Sequence, residues 1–197
     1  GRDASAPQLS VAPGGGSTAV WTRSDGSNQL VQASYSVDGV TWSAPTTLSA
    51  TGQDAESPEV AAAPGGSFTA VWDRSDGTNN IAQASHSADG VTWGAPASLS
   101  TAGQDAGHPQ IVAAADNSLT AVWSRFTGSP PVVPSRYSDS GGSWDAPVDI
   151  SVDGLSESQQ IVAAPNGGLA AIWENNLSSG YVVQSASVLA AQTVAPR

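Results

Sequence analysis

The chain alternates short apolar runs with clusters of glycine, proline and aspartate. PQLSVAP (7–13) leads into a glycine-rich turn at 14–16, followed by STAVWTR and the turn Ser24-Asp25-Gly26. QLVQASYS, a turn at Asp38 and Gly39, and a short TWSAPTTLS complete the unit. Runs of this length, rich in β-branched residues, with period-2 character and turn residues at both ends, predict strands. No stretch holds apolar residues at helical spacing over ten positions. Within Thr18-Ala19-Val20-Trp21 the alternation sends Val20 and Trp21 to opposite faces, so both faces of the predicted sheet are apolar.

The pattern repeats. Trp21, Trp72 and Trp123 are 51 residues apart, and Trp173 follows 50 later; Trp42, Trp93 and Trp144 recur at the same interval of 51. The words around them agree: STAVWTRSDG, FTAVWDRSDG, LTAVWSRFTG and LAAIWENNLS, preceded by GRDASAP, GQDAESP and GQDAGHP. Four strands per unit at this period predict an all-β propeller of four blades. The blades fall at about 1–51, 52–102, 103–153 and 154–197 within a single domain. The last is atypical, ending in VLAAQTVAPR without the third-turn word of the others. Alanine-rich first strands such as VAAAP (60–64) fit a crowded axis, and the second-strand tryptophans fit packing between blades.

Composition narrows the chemistry. The chain of 197 residues has 17 acidic side chains against six arginines, no lysine, and a formal charge of −11. It has no cysteine, which excludes disulfides, thiolate metal sites and a cysteine nucleophile. The acidic balance makes nucleic acid and anionic membranes poor partners. No apolar run approaches the roughly 18 residues a membrane helix needs. The Ala/Gly/Ser/Thr-rich composition, free of oxidisable sulfur, leads to the expectation of a secreted protein. No metal-ligand word and no cofactor motif occurs, so neither metal nor cofactor is expected.

Three words, SVDGVTW (36–42), SADGVTW (87–93) and SDSGGSW (138–144), resemble the Asp-box of bacterial neuraminidase-repeat propellers, Ser-x-Asp-x-Gly-x-Thr-Trp. Asp38 and Asp89 sit one residue closer to their tryptophans than that pattern asks, and Tyr137 stands where the serine belongs before Asp139. The resemblance implies a structural turn between third and fourth strands. Asp38, Asp89 and Asp139 would close it on backbone N–H groups, with Trp42, Trp93 and Trp144 packing back on the blade. It also implies what a sialidase would need: three arginines on a carboxylate, a tyrosine–glutamate pair and an aspartic acid. Arg23, Arg74 and Arg125 occupy one repeated position, and catalytic groups usually stand at unlike positions. With no credible nucleophile–base pair or pair of placed carboxylates, the expectation is a propeller that is not an enzyme.

By the parity of a four-stranded meander, the Asp-box turns share one face of the disk. The opposite face gathers Asp54, Asp105 and His108 with the turns holding Arg23, Asp25, Arg74, Asp76 and Arg125. These eight residues are the candidate ligand site, suited to sugar hydroxyls or a partner's polar surface. The competing reading pairs each arginine with the aspartate of the next blade's connection, locking the blades. Gln32, Gln83 and Gln184 recur on third strands and read as surface residues. The expected function is lectin-like glycan recognition. The alternatives are binding or modulation of a secreted protease or other extracellular protein and, last, a glycoside hydrolase of sialidase-like fold. A closed monomeric ring is expected, with a homodimer forming a larger ring and a piece of a longer propeller as the other arrangements.

Overall fold

The computed structural model describes residues 3–126, 131–151, 155–164, 168–177 and 180–189. Among them, strands β1 (Ala4–Val11), β2 (Ser17–Ser24), β3 (Gln29–Ser36) and β4 (Thr46–Thr47) form a first antiparallel sheet in chain order. A second sheet follows with β5 (Ala55–Ala62), β6 (Phe68–Ser75), β7 (Asn80–Ser87) and β8 (Ala97–Ser98). The third holds β9 (Ala106–Ala113), β10 (Leu119–Arg125), β11 (Pro134–Ser138) and β12 (Val148–Asp149). The fourth has three strands, β13 (Leu155–Ala163), β14 (Gly168–Leu177) and β15 (Gly180–Leu189). The predicted outer strand of this last unit lies outside the described residues.

Each second strand is apolar on both faces, and the second and third sheets are covered on both. Val20, Val31, Ala33 and Leu48 of the first sheet pack against Ala55, Ala70 and Trp72 of the second, with Val60 and Trp93 at the margin. The same set recurs one unit on, where Val71, Ala84 and Leu99 meet Ala121, Trp123 and Trp144. It recurs again where Val122, Val133 and Ile150 meet Ile161, Ala171 and Trp173. Each sheet therefore has a leading face, built around its tryptophan, and a trailing face, built around the valine beside it. Trp72 and Trp123 are completely or almost completely buried, and burying a large apolar side chain contributes about 3 kcal/mol. The first strands lie side by side, β1 on β5, β5 on β9 and β9 on β13. No comparable packing joins β13 back to β1 among the described residues.

The repeated glutamines are not simple surface residues. Gln32, Gln83 and Gln184 stand directly across the ladder from Trp21, Trp72 and Trp173. In the fourth sheet Trp173 Nε1 donates to Gln184 Oε1 at 3.2 Å.

The third turns are built as two of the three words suggested. Asp38 Oδ1 accepts from Val40 N at 2.8 Å and Thr41 N at 2.7 Å. Asp89 Oδ1 accepts from Val91 N and Thr92 N at the same distances. In the third sheet Ser138 Oγ receives Gly141 N at 2.8 Å, while Asp139 lies against the Tyr137 hydroxyl and helps raise its pKa, after burial. Asp139 stands where Val37 and Ala88 do, and Ser140 holds the place of the capping Asp38 and Asp89. Trp93 and Trp144 pack at the sheet junctions, whereas Trp42 is partly exposed.

These turns also seat on the preceding sheet. Gly90 lies on the ring of Tyr35, and Gly141 lies on His86, which occupies the Tyr35 position one unit later. A Cβ at Gly90 would overlap the Tyr35 ring near its stem, and its φ of +76° is left-handed; Gly39, at φ +71°, faces open space. Gly90→Ala is expected to destabilise by at least about 2 kcal/mol, combining overpacking with backbone strain. Gly39→Ala is expected to cost about 1 kcal/mol, the backbone penalty alone. Equal losses in denaturant titrations would mean that the seat on Tyr35 contributes nothing.

Backbone N–H donors hold Asp38 and Asp89 at pKa values of about 2. A carboxylate depressed in the folded state stabilises fully above its unfolded pKa near 4 and loses that contribution as pH falls through 2. Thermal stability is therefore expected to decline between pH 4 and 2. The Asp38→Asn/Asp89→Asn double variant should show a shallower decline there than the wild type.

Candidate functional site

The end of the sheets opposite the third turns carries a repeated irregularity. Each first strand bulges: the register shifts between Ser5 and Gln8, Glu56 and Glu59, Gly107 and Gln110, and Glu157 and Gln160. At the bulges Ala6, Ser57, His108 and Ser158 have φ between 48° and 54°. Bulges end regular pairing and re-aim side chains, and non-glycine residues with positive φ concentrate at functional sites. Proline follows in the first three strands; Gln159 replaces it in the fourth.

Most of the expected site residues serve the framework. Asp54 Oδ1 accepts Gln29 N at 2.7 Å, and Asp105 Oδ1 accepts Asn80 N at 2.8 Å. Each connection aspartate thus ties its sheet to the preceding one through backbone amide. Asp25 and Asp76 accept amides of their own turns, from Ser27 and Asn28 and from Thr78 and Asn79. Arg74 donates to the Ala50 and Thr51 carbonyls. Arg125 makes a two-pronged pair with Asp149 of its own sheet, at 3.0 and 2.8 Å. Arg23 is exposed on β2. The expected pairing of arginines with the next unit's connection aspartates therefore gives way to a simpler stitch. The aspartates accept turn amides of the preceding sheet instead.

Asp105 and His108 do converge, together with Glu56 of the same face and with Asp73 and Phe126, which the sequence reading passed over. Between the second and third sheets lies a groove of about 320 Å³ lined by Glu56, Ser57, Asp73, Asp105, His108 and Phe126, among others. Asp73 is buried, and its Oδ1 has no hydrogen-bond partner among the described residues. Burial raises its pKa, against the Ser57 hydroxyl and the charge and backbone N–H of His108, which lower it; the Glu56 charge raises it further. Glu56 stands directly across the β5–β6 ladder from Asp73. Glu59, half-buried on the same first strand, is also raised by burial, against a hydrogen bond from Gln110 at 3.3 Å. A buried carboxylate with one unsatisfied oxygen, in a cleft beside a second carboxylate and a histidine, is a recurring mark of a functional site.

The repeat itself holds the signal that would have found Asp73. Thr22, Ser124 and Glu174 occupy its position in the other units, each directly after the second-strand tryptophan. At the next junction the equivalent space is closed by a neutral relay: Ser124 Oγ donates to Gln159 Oε1 at 2.6 Å, and Gln159 Nε2 donates to the His108 carbonyl. Asp73 is the one that carries an ionisable group there into a covered junction; Glu174 is exposed on the fourth sheet.

Solved structures of similar shape give the architecture its place. A Ruminococcus gnavus intramolecular trans-sialidase superimposes with a TM-score of 0.69 at 12% identity, over 94% of this chain and 68% of that one. The chain has a sialidase-like β-propeller fold. The Hadza microbial sialidase Hz136 matches with TM-score 0.67 and 14% identity, over 93% of this chain and 44% of the other. The GH93 α-L-arabinofuranosidase of Fusarium graminearum, solved with arabinobiose, matches with TM-score 0.64 and 14% identity, over 91% and 60%. This propeller chain thus spans between about two fifths and two thirds of the length of these structures. No family model and no curated protein matches it.

The expectation that this propeller is not an enzyme is overturned. It rested on the lack of paired carboxylates, and the neighbours sharing the fold are enzymes. The pair was missed because Glu56 and Asp73 are 17 positions apart and become neighbours only through the β5–β6 register.

The raised pKa of Asp73 has a stability consequence. A carboxyl raised in the folded state contributes stability below its unfolded pKa and loses it as pH rises through the folded value. Asp73→Asn removes that cost. It is expected to raise the melting temperature at pH 7 by a few degrees and to leave it nearly unchanged at pH 3. A variant less stable than wild type at pH 7 would mean that ionised Asp73 is held by more than the groups facing it here.

Proposed function

We propose that this propeller binds a neutral glycan in the groove between its second and third sheets. The observation that carries this reading is the buried Asp73 carboxyl with an unsatisfied oxygen, opening on the Phe126 ring and His108. Sugars are bound by polar groups that fix hydroxyls and by an apolar ring that covers a sugar face. Asp73, Glu56, Asp105 and His108 supply the first, and the partly exposed Phe126 supplies the second. The acidic groove and the net charge of −11 disfavour anionic sugars such as sialic acid. Glycan-acting enzymes of the same fold support the substrate class.

The cross-ladder placement of Glu56 and Asp73 favours a second reading at the same groove, cleavage of the bound glycoside. Directly opposed residues in an antiparallel pair have Cβ atoms about 5 Å apart, which suits two carboxyl groups working on one bond. Glycoside hydrolysis uses one carboxyl held protonated and one ionised. Burial favours Asp73 as the protonated acid, and Glu56, exposed beside it, is its partner carboxylate.

Calorimetric titration with neutral oligosaccharides, including arabino-oligosaccharides, tests the binding. Phe126→Ala should weaken it about tenfold, the value of one lost stacking contact, and sialylated glycans should not bind. Absence of binding to every neutral glycan would remove the proposal. Release of reducing sugar by the wild type, reduced at least about a hundredfold in Asp73→Asn, is the expected result for cleavage. Binding without release would reject cleavage alone.

A further inference from the structure

The two ends of the row of sheets expose the two halves of the junction that the molecule builds three times inside itself. On the leading face of the first sheet, Leu9 and Val11 are 59% and 57% exposed, and Trp42 is partly exposed beside them. Leu9 pairs with Ala19 as Val60 pairs with Ala70 and Ile111 with Ala121, so it holds the place those residues fill at covered junctions. Trp21 likewise stands where Trp72, Trp123 and Trp173 do. On the trailing face of the fourth sheet, Val162, Ile172 and Val183 are 60%, 45% and 72% exposed. Ile172 precedes its tryptophan as Val20, Val71 and Val122 precede theirs, and those three valines are fully buried. Val183 precedes Gln184 as Val31, wholly buried, precedes Gln32.

We propose that the leading face of the first sheet in one copy of this chain seats on the trailing face of the fourth sheet in a second copy, head to tail. The occupant follows from the internal junctions. A tryptophan-centred leading face already covers a valine-centred trailing face at three places, with the same residue types at the same ladder positions. A second copy presents the required face, and the uncovered side chains are those that unit packing buries. The contact is heterologous, using different patches on the two partners, so copies add in one direction until the rotation closes a ring or the row continues. Each copy carries a net charge of −11, so the copies repel through solvent and apolar contact must overcome this repulsion. Added salt therefore strengthens the association.

Molar mass measured by sedimentation across concentration and ionic strength tests this on the 197-residue chain. The wild type should show multiples of 19.7 kDa that grow with concentration and with salt. Leu9→Glu removes the leading face and Val183→Glu the trailing face. Both sites are exposed, and an unchanged near-ultraviolet tryptophan spectrum verifies folding. Each variant alone should have the mass of one chain. An equimolar mixture should recover a two-chain species, since each variant keeps the face the other lacks. A wild type of single-chain mass up to its solubility limit would overturn the proposal. So would a single variant that still associates, or a mixture with no two-chain species, as expected of a symmetric contact using one patch twice.

Discussion

Every sheet in this molecule is apolar on both faces, and the rest of the structure follows from the need to cover them. An antiparallel sheet usually leaves one face to water. Here Val20 and Trp21, adjacent in β2, point to opposite sides, as do Val71 and Trp72 and then Val122 and Trp123. A sheet with two apolar faces cannot stand alone, so each unit stacks on the next through a tryptophan on one side and a valine on the other. The remaining stitches follow the same direction. Asp54 and Asp105 reach back to the preceding turn, and Gly90 and Gly141 seat on the Tyr35 and His86 of the preceding sheet.

That framework explains where chemistry can enter. A repeat spends most of its polar groups on itself: Asp25, Asp76, Asp38 and Asp89 cap their own turns, and Arg125 pairs within its sheet. A group becomes available where one unit departs from the others. Asp73 departs at a covered junction where the neighbouring units hold Thr22 and Ser124, and His108 departs at a bulge held by Ala6 and serines elsewhere. These departures meet across one junction because each trailing face looks at the next unit's bulge. The next junction, with serine and glutamine in the corresponding space, closes on itself through neutral hydrogen bonds. The groove is thus a junction left incompletely satisfied, in which a buried carboxyl is kept without a full set of donors.

Much of the fold was legible in the chain. The tryptophan interval, the paired apolar positions and the turn words established four units, their strand order and the two-faced sheets. These are local properties, set by period-2 alternation and turn chemistry within about 50 residues. The third turns were legible for the same reason at Asp38 and Asp89. Asp139 was not, because it stands at the position of Val37 and Ala88, with Ser140 in the place of the capping aspartate. The glutamines were misread as surface residues because only the register puts Gln83 opposite Trp72 and Gln184 opposite Trp173.

The candidate site was legible only in part. Asp105 and His108 were marked by their loop position, and the repeating arginines beside them read also as ion pairs that lock the blades. By itself, the sequence determined that this is an all-β chain of repeated two-faced sheets with an acidic surface. Alternation and turn residues act within a unit and need no distant partner. Only the tertiary structure decided which polar groups are spent on the frame and which remain. That depends on the ladder that sets Glu56 opposite Asp73, and on the junction that brings Asp73 to His108. Contacts between strands and between units depend on register and packing, which no single unit's sequence contains.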